Sequence, residues 1–271
     1  MTAIASPTYR VADERTPLSE IVSDARTVAW RNLVGLVRTP TTVVFSTVQP
    51  VIFVVMFRYV FGGAIRGLPP GVSYVNFLMA GIFVQTVVFG AMNTGVGLAT
   101  DLQSGLIERF RSLPMARSAV LAGRTIADTV RNLFVVILMV IVGYIVGFRV
   151  ETNPAALAAA VVILLLFGLA MSWLMALIGL ATGNAEAAQA AAFPFMALLV
   201  FASSAFLPTN TMPGPLRAYA NHQPVSATVN AVRPLLIGGP TAGHVVTAIL
   251  WIVGITVVFA ALAVSRYRRA A

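Results

Sequence analysis

From Val43 onward the sequence is divided into six apolar runs: Val43–Phe61, Val75–Leu98, Thr125–Phe148, Ala156–Thr182, Gln189–Phe206 and Val245–Ser265. Each approaches the roughly 17–25 residues that a helix needs to cross a hydrocarbon core. The runs leave little chain from which a water-facing surface could be made. Only 10% of the residues are charged and 58% are hydrophobic, whereas a soluble domain carries about 25% charge. The expected fold is therefore an all-α integral membrane protein with six transmembrane helices. The "TGN" at Thr182–Asn184 breaks an otherwise continuous apolar stretch, and Glu186 with Gln189 marks a turn there. The run that follows is the shortest of the six.

The connections carry most of the charge, and two thirds of the charged residues are arginine. There are 18 basic residues, and every one is Arg. Arg10, Arg15, Arg26, Arg31 and Arg38 precede the first run. Arg109, Arg111, Arg117 and Arg124 lie between the second and third runs, and Arg266, Arg268 and Arg269 follow the last. The opposite side holds only Arg66, Arg149, Arg217 and Arg233. This asymmetry places both termini in the cytoplasm. It is also the pattern of membrane orientation, not a basic stripe that tracks phosphates, so nucleic acid is not an expected partner.

Before the first run, residues 1–16 read as a polar tail. Residues 17–38 read as an amphipathic helix lying on the membrane surface. Leu18, Ile21, Val22, Ala25, Ala29, Leu33 and Leu36 follow helical spacing, and Trp30 suits the headgroup level. The multi-span domain extends over 43–265, and 266–271 form a cytoplasmic tail. Between the fifth and sixth runs, residues 207–244 are too long for a plain loop. Six prolines punctuate the segment, from Pro208 to Pro240, and "LRAYA" and "VSATVNAV" lie between them. This predicts two short helices folded back into the outer leaflet, since irregular backbone at that depth must be buried in protein or line a wet cavity.

Catalytic chemistry is poorly provided for. Cysteine is absent and there are two histidines, His222 and His244, with no metal-binding spacing. Without lysine the chain cannot build the phosphate loop of an ATPase. A gradient-driven carrier would need ionisable groups inside the spans. Arg124, Asp128 and Arg131 are the group to consider, and their i, i+3 and i+4 spacing suits structural ion pairing along one helix. Mildly polar residues in the first, second and fifth runs, namely Gln49, Gln85, Asn93, Ser203 and Ser204, are candidates for a translocation path. The same side chains could instead join helices by hydrogen bonds.

Between two long apolar runs lies a dense charged patch, "ERFRSLPMARSAVLAGR", Glu108–Arg124. An anchor for orientation needs only arginine, whereas here Glu108 and Phe110 alternate with Arg109 and Arg111 before Pro114 stops the helix. A short helix of mixed charge suits docking into a groove on a soluble partner.

Three stretches carry a family resemblance: "QPVIFVVMFRYVFGGAI" (Gln49–Ile65), "GLIERFRSLPMARSAVLAGRTIAD" (Gly105–Asp128) and "FLPTNTMPGPLRAYANHQPVSATVNAVRPLLIGGP" (Phe206–Pro240). With the six-run order, they resemble the permease subunits of ABC type-2 exporters, within them the daunorubicin-resistance, multidrug-efflux branch. The resemblance implies a bacterial plasma-membrane permease that works as a dimer, with a second copy or a paralogue. A separate ABC ATP-binding subunit would carry ATP and Mg, and this chain would bind no cofactor. The cargo implied is a hydrophobic or amphiphilic small molecule, such as an antibiotic, moved outward. By position, 105–114 is similar to the family's coupling helix, with Glu108, Arg109, Phe110, Arg111 and Ser112 as the ATPase-coupling residues. Export of a lipid-linked glycan or envelope lipid is the alternative within the family, and a gradient-driven carrier is the alternative outside it.

Overall fold

The computed structural model describes residues 30, 40–62, 67–68, 70–105 and 117–270; of 40–47, 117–122 and 268–270 only the backbone is described. The amphipathic segment 17–38, except Trp30, and the coupling segment 106–114 thus lie outside the described residues. Trp30 is helical and exposed.

The described residues are helical, with no strand among them. Helix α1 (Pro40–Val55) continues as a π-helical turn, Met56–Phe61. There follow α2 (Tyr74–Gln103), α3 (Arg117–Val146), α4 (Pro154–Thr182) and α5 (Ala185–Phe201). A short 3₁₀ turn, Thr209–Thr211, leads to α6 (Gly214–Asn221), α7 (Pro224–Ile237) and α8 (Ala242–Ala270). Each of the six apolar runs lies mostly within helix. Four of them, in α2, α3, α4 and α8, are long and apolar enough to cross a membrane, and Val48–Phe61 and Ala185–Phe201 are shorter. The two short helices expected in 207–244 are α6 and α7.

Local signals set these boundaries. Asn153 caps α4 by accepting from the Ala156 amide at 2.8 Å, with Pro154 in the first turn. At the "TGN" break, Gly183 adopts a left-handed φ of 62° that ends α4. Asn184 at once caps α5, accepting from the Glu186 and Ala187 amides at 2.8 and 3.3 Å. The fifth run therefore begins earlier than its apolar content suggests, so that Gln189 is helical. It also ends earlier, with 202–206 forming a turn beyond Phe201.

α2 is the axis of the bundle. Its residues from Tyr74 to Val88 are buried on every face, and it packs on α3, α4, α5 and α7 as well as α1. Small residues allow the close approach. A Cβ on Gly95 would lie 2.5 Å from the Met175 carbonyl of α4, and one on Gly179 would strike the Gly95 carbonyl in return. Such small-residue contacts let helix backbones touch where lipid offers no hydrophobic drive. α8 packs on α4 and α7 and leaves Val246, Leu250, Val253, Val257 and Val258 exposed, an apolar face suited to acyl chains.

At one end of the bundle, the turn after α5 is pressed onto α2. A Cβ on Gly81 would meet the Ala205 carbonyl. Arg233 of α7 lies 3.6 Å above the Phe77 ring and donates through Nη2 to the Ser204 carbonyl at 2.8 Å. Burial draws its pKa down to about 9, which leaves the guanidinium charged at neutral pH. Beside this contact, Phe206 stacks on Phe57 of the π turn, with centroids 4.5 Å apart and ring planes 5° from parallel. Phe53 and Phe201 extend the stack.

Candidate functional site: a polar cavity between α1, α2, α3 and α5

A cavity of about 580 Å³ lies between four helices. α1 supplies Gln49 and Pro50, and α2 supplies residues from Gln85 to Val96. α3 gives Arg131, Asn132 and Val135, and α5 gives Gln189 and Phe193. Gln49, Gln189 and Phe193 are exposed at its mouth, whereas Gln85 and Asn132 are buried in its wall.

Three of the five path candidates meet here: Gln49, Gln85 and Asn93. Gln85 is 2% exposed, and its Oε1 has no hydrogen-bond partner. Asn93 donates from Nδ2 to the Gly90 carbonyl at 3.2 Å. The other two candidates, Ser203 and Ser204, lie away from the cavity in the turn after α5. Ser203 donates to the Val200 carbonyl at 2.5 Å and accepts from the Ala205 amide at 3.1 Å. The Ser204 amide donates to Ser226 Oγ at 3.0 Å, and Ser204 Oγ donates to Asn230 Oδ1 at 3.0 Å. These contacts hold α7 to the turn. In this structure the two serines link elements.

The charged group of α3 forms one seam with α2. Arg131 Nη1 lies 3.2 Å from Asp128 Oδ1, and Nη2 donates to the Gly90 carbonyl at 2.6 Å. Thr94 donates its hydroxyl to the other Asp128 oxygen. Arg124 does not pair with Asp128. It turns to Asp101 near the end of α2, because α2 runs beyond the apolar limit at Leu98 and carries that carboxylate alongside. Residues 90, 94, 97 and 101 of α2 thus face 131, 128 and 124 of α3, and Gly97 leaves the room that Arg124 occupies. The seam leads from the ends of α2 and α3 nearest the 106–116 connection up to the cavity wall.

Asn132 and Gln189 were not among the expected site residues. Asn132 is 3% exposed and packs against Gly90 and Gly168, where a Cβ on Gly168 would lie 3.1 Å from its Nδ2. Its signal in the sequence was a carboxamide one residue after Arg131, inside an apolar run. Gln189 stands where the expected turn meets the fifth run, and the helix cap at Asn184 puts it within α5, where it lines the cavity. On the apolar side, Phe89 and Phe193 approach with centroids 6.0 Å apart.

A wall of carboxamides and one paired guanidinium within an apolar bundle can hold a molecule that is part polar and part greasy. Among the described residues that line the cavity, no nucleophile and base are in contact.

The ABC-2 type transporter family model matches residues 24–237. The chain belongs to that family. It is 32% identical over 259 residues to the daunorubicin resistance ABC transporter permease protein DrrB1 of Streptomyces coeruleorubidus, covering 95% of this chain and 90% of the relative. It is 28% identical over 238 residues to the probable doxorubicin resistance ABC transporter permease protein DrrC of Mycobacterium tuberculosis, covering 84% and 82%. A putative transport permease, ycf38, of the alga Porphyra purpurea is 28% identical over 79% of this chain and 74% of its own length. The resemblance first carried by Gln49–Ile65, Gly105–Asp128 and Phe206–Pro240 is thus a family membership. This ABC-2 permease is a multi-pass membrane protein, and its relatives are membrane subunits of transporters.

Proposed function

We infer that this chain is the transmembrane subunit of an ATP-driven exporter that moves a hydrophobic or amphiphilic compound out of a bacterial cell. Its relatives among the drug-resistance permeases support a drug or antibiotic as cargo, and export of an envelope lipid or lipid-linked glycan would use the same path. The observation that carries the reading is the polar cavity in the bundle beside α2. Gln49, Gln85 and Asn93 line the path, and Arg131 stands in its wall. ATP and Mg bind a separate ATP-binding subunit, which docks on the 105–114 connection through Glu108, Arg109, Phe110, Arg111 and Ser112. The α2–α3 seam carries its motion to the cavity.

In this reading there are six crossings. α1 with its π turn and α5 make the two short ones, and α6 and α7 form a re-entrant cap in the outer leaflet. Both termini are cytoplasmic, 17–38 lies on the inner surface, and a second permease copy completes the transporter. The gradient-driven reading has less support, because Asp128 pairs with Arg131 and accepts from Thr94, the contacts of a structural ion pair.

Co-expression with the ATP-binding protein encoded beside it tests the proposal. Wild type should capture that protein, and an Arg109→Glu/Arg111→Glu variant that inserts equally well should not. Failure of well-folded wild type to capture it would sink the exporter reading.

A further inference from the structure

We propose that the cavity selects cargo with an uncharged, hydroxyl-rich head, a polyol or glycosyl group carried on an apolar body. This deepens the exporter reading and rests on it for the claim that the ligand is cargo.

The wall chemistry carries the argument. Five primary carboxamides face the cavity, Gln49, Gln85, Asn93, Asn132 and Gln189, together with one cation, Arg131. No carboxylate is among the described residues that line it. A carboxamide both donates and accepts hydrogen bonds. So does a hydroxyl, and a head bearing several hydroxyls can satisfy several amides at once without bringing a charge into the bundle. Gln85 makes the need specific. It is buried, and its Oε1 lacks a donor, a deficit that a ligand hydroxyl can meet.

Charged heads fit worse, for separate reasons. A cation would find no counter-charge: Asp128 already receives Thr94 and pairs with Arg131, and Arg131 stands in the wall in front of it. An anion would have to draw Arg131 from Asp128 and from the Gly90 carbonyl, leaving a buried carboxylate unpaired. The apolar body has its own place against Phe89 and Phe193, whose ring faces also suit the C–H face of a sugar.

The test uses the full chain in phosphatidylcholine nanodiscs and three fluorescent probes with one dodecyl body. The heads are a glucoside, a trimethylammonium and a phosphate, and partition into empty nanodiscs is subtracted. The glucoside should bind at least about tenfold more tightly than either ion, and Gln85→Leu should remove most of that advantage. Gln49→Leu, at the exposed mouth, gives a second reading should Gln85→Leu fold poorly. The proposal is overturned by a charged probe that binds as tightly as the glucoside, by the absence of saturable binding, or by glucoside binding indifferent to both variants. ATPase capture keeps the two claims apart. Capture without glucoside preference sinks the selectivity and leaves the exporter. Preference without capture sinks the exporter and leaves a glycoside-binding cavity.

Discussion

The α2–α3 seam and the cap formed by α7 and the 202–206 turn both bind polar groups tightly against α2, but with different materials. In the seam, three side-chain pairs do most of the holding, Arg131 with Asp128, Thr94 with Asp128 and Arg124 with Asp101, and Arg131 also reaches the Gly90 carbonyl. At the cap, side chains hold mainly backbone, as Arg233 holds the Ser204 carbonyl and Gln223 Nε2 holds the Leu199 carbonyl at 2.9 Å, beside the Ser204–Asn230 side-chain bond. Backbone itself lies on backbone where Ala205 meets Gly81. A backbone contact has no alternative rotamer, so Ala205 cannot give way at Gly81 without a shift of the chain. A side-chain pair can exchange partners while the helices keep their shape. The seam is therefore held mainly by contacts that could exchange without moving backbone, and it is the part of the α2 surface that borders the cavity.

The largest effect should come from breaking the deep pair of the seam. Asp128→Asn leaves Arg131 with no counter-charge in a site where the two side chains are 11% and 7% exposed. Removing one partner of a buried pair costs about 3–5 kcal/mol. Thermal unfolding of the purified protein should fall accordingly, and the Asp128→Asn/Arg131→Gln double variant should recover most of the loss. A double variant no more stable than Asp128→Asn would mean that the pair is not what holds the seam.

One substitution made in both regions sharpens the contrast. At Gly81 a new methyl meets the Ala205 backbone, whereas at Gly90 it meets the Asn132 side-chain amide. Gly81→Ala should destabilise by about 1–3 kcal/mol, the usual cost of forcing extra volume into a packed core. In Gly90→Ala the side chain can swing aside, and the gain of about 1 kcal/mol in helix propensity offsets the disturbance. The unfolding temperatures of the two variants should therefore separate clearly. Equal losses would show the cavity wall to be as rigid as the cap.

How much of this was legible in the sequence follows the same division. Apolar runs gave every long helix, because bilayer-length segments of such low charge have few other states. Pro224 and the pattern of "VSATVNAV" marked α7. Gln49, Gln85 and Asn93 stood out as polar residues in greasy runs, and they do converge on one cavity. Ser203 and Ser204 look the same by that criterion and lie in the turn that α7 grips. Composition cannot distinguish a hydroxyl that faces a cavity from one that satisfies a nearby carbonyl. The partner of Arg124 is hidden from the sequence for a related reason. Spacing along α3 offered Asp128, but Asp101 of α2 is brought alongside only by the packing of two helices, which no local pattern encodes.

The smallest effect tests whether the seam weakens with distance from the cavity. The Arg124–Asp101 pair lies nearer the connection at 106–116, and each of its side chains is 19% exposed. Exposure lets water and salt screen the pair, and partly exposed ion pairs are commonly worth about 1 kcal/mol or less. Asp101→Asn should therefore lower stability by about 1 kcal/mol or less, with the deficit shrinking as salt is raised, while the deficit of Asp128→Asn changes little. Unfolding temperatures of both variants measured across a salt series would show it. If the two respond alike, the seam is uniform along its length. If they diverge, its loosest end is the one beside the proposed ATPase dock, where a pair that can be broken cheaply is of most use to a lever.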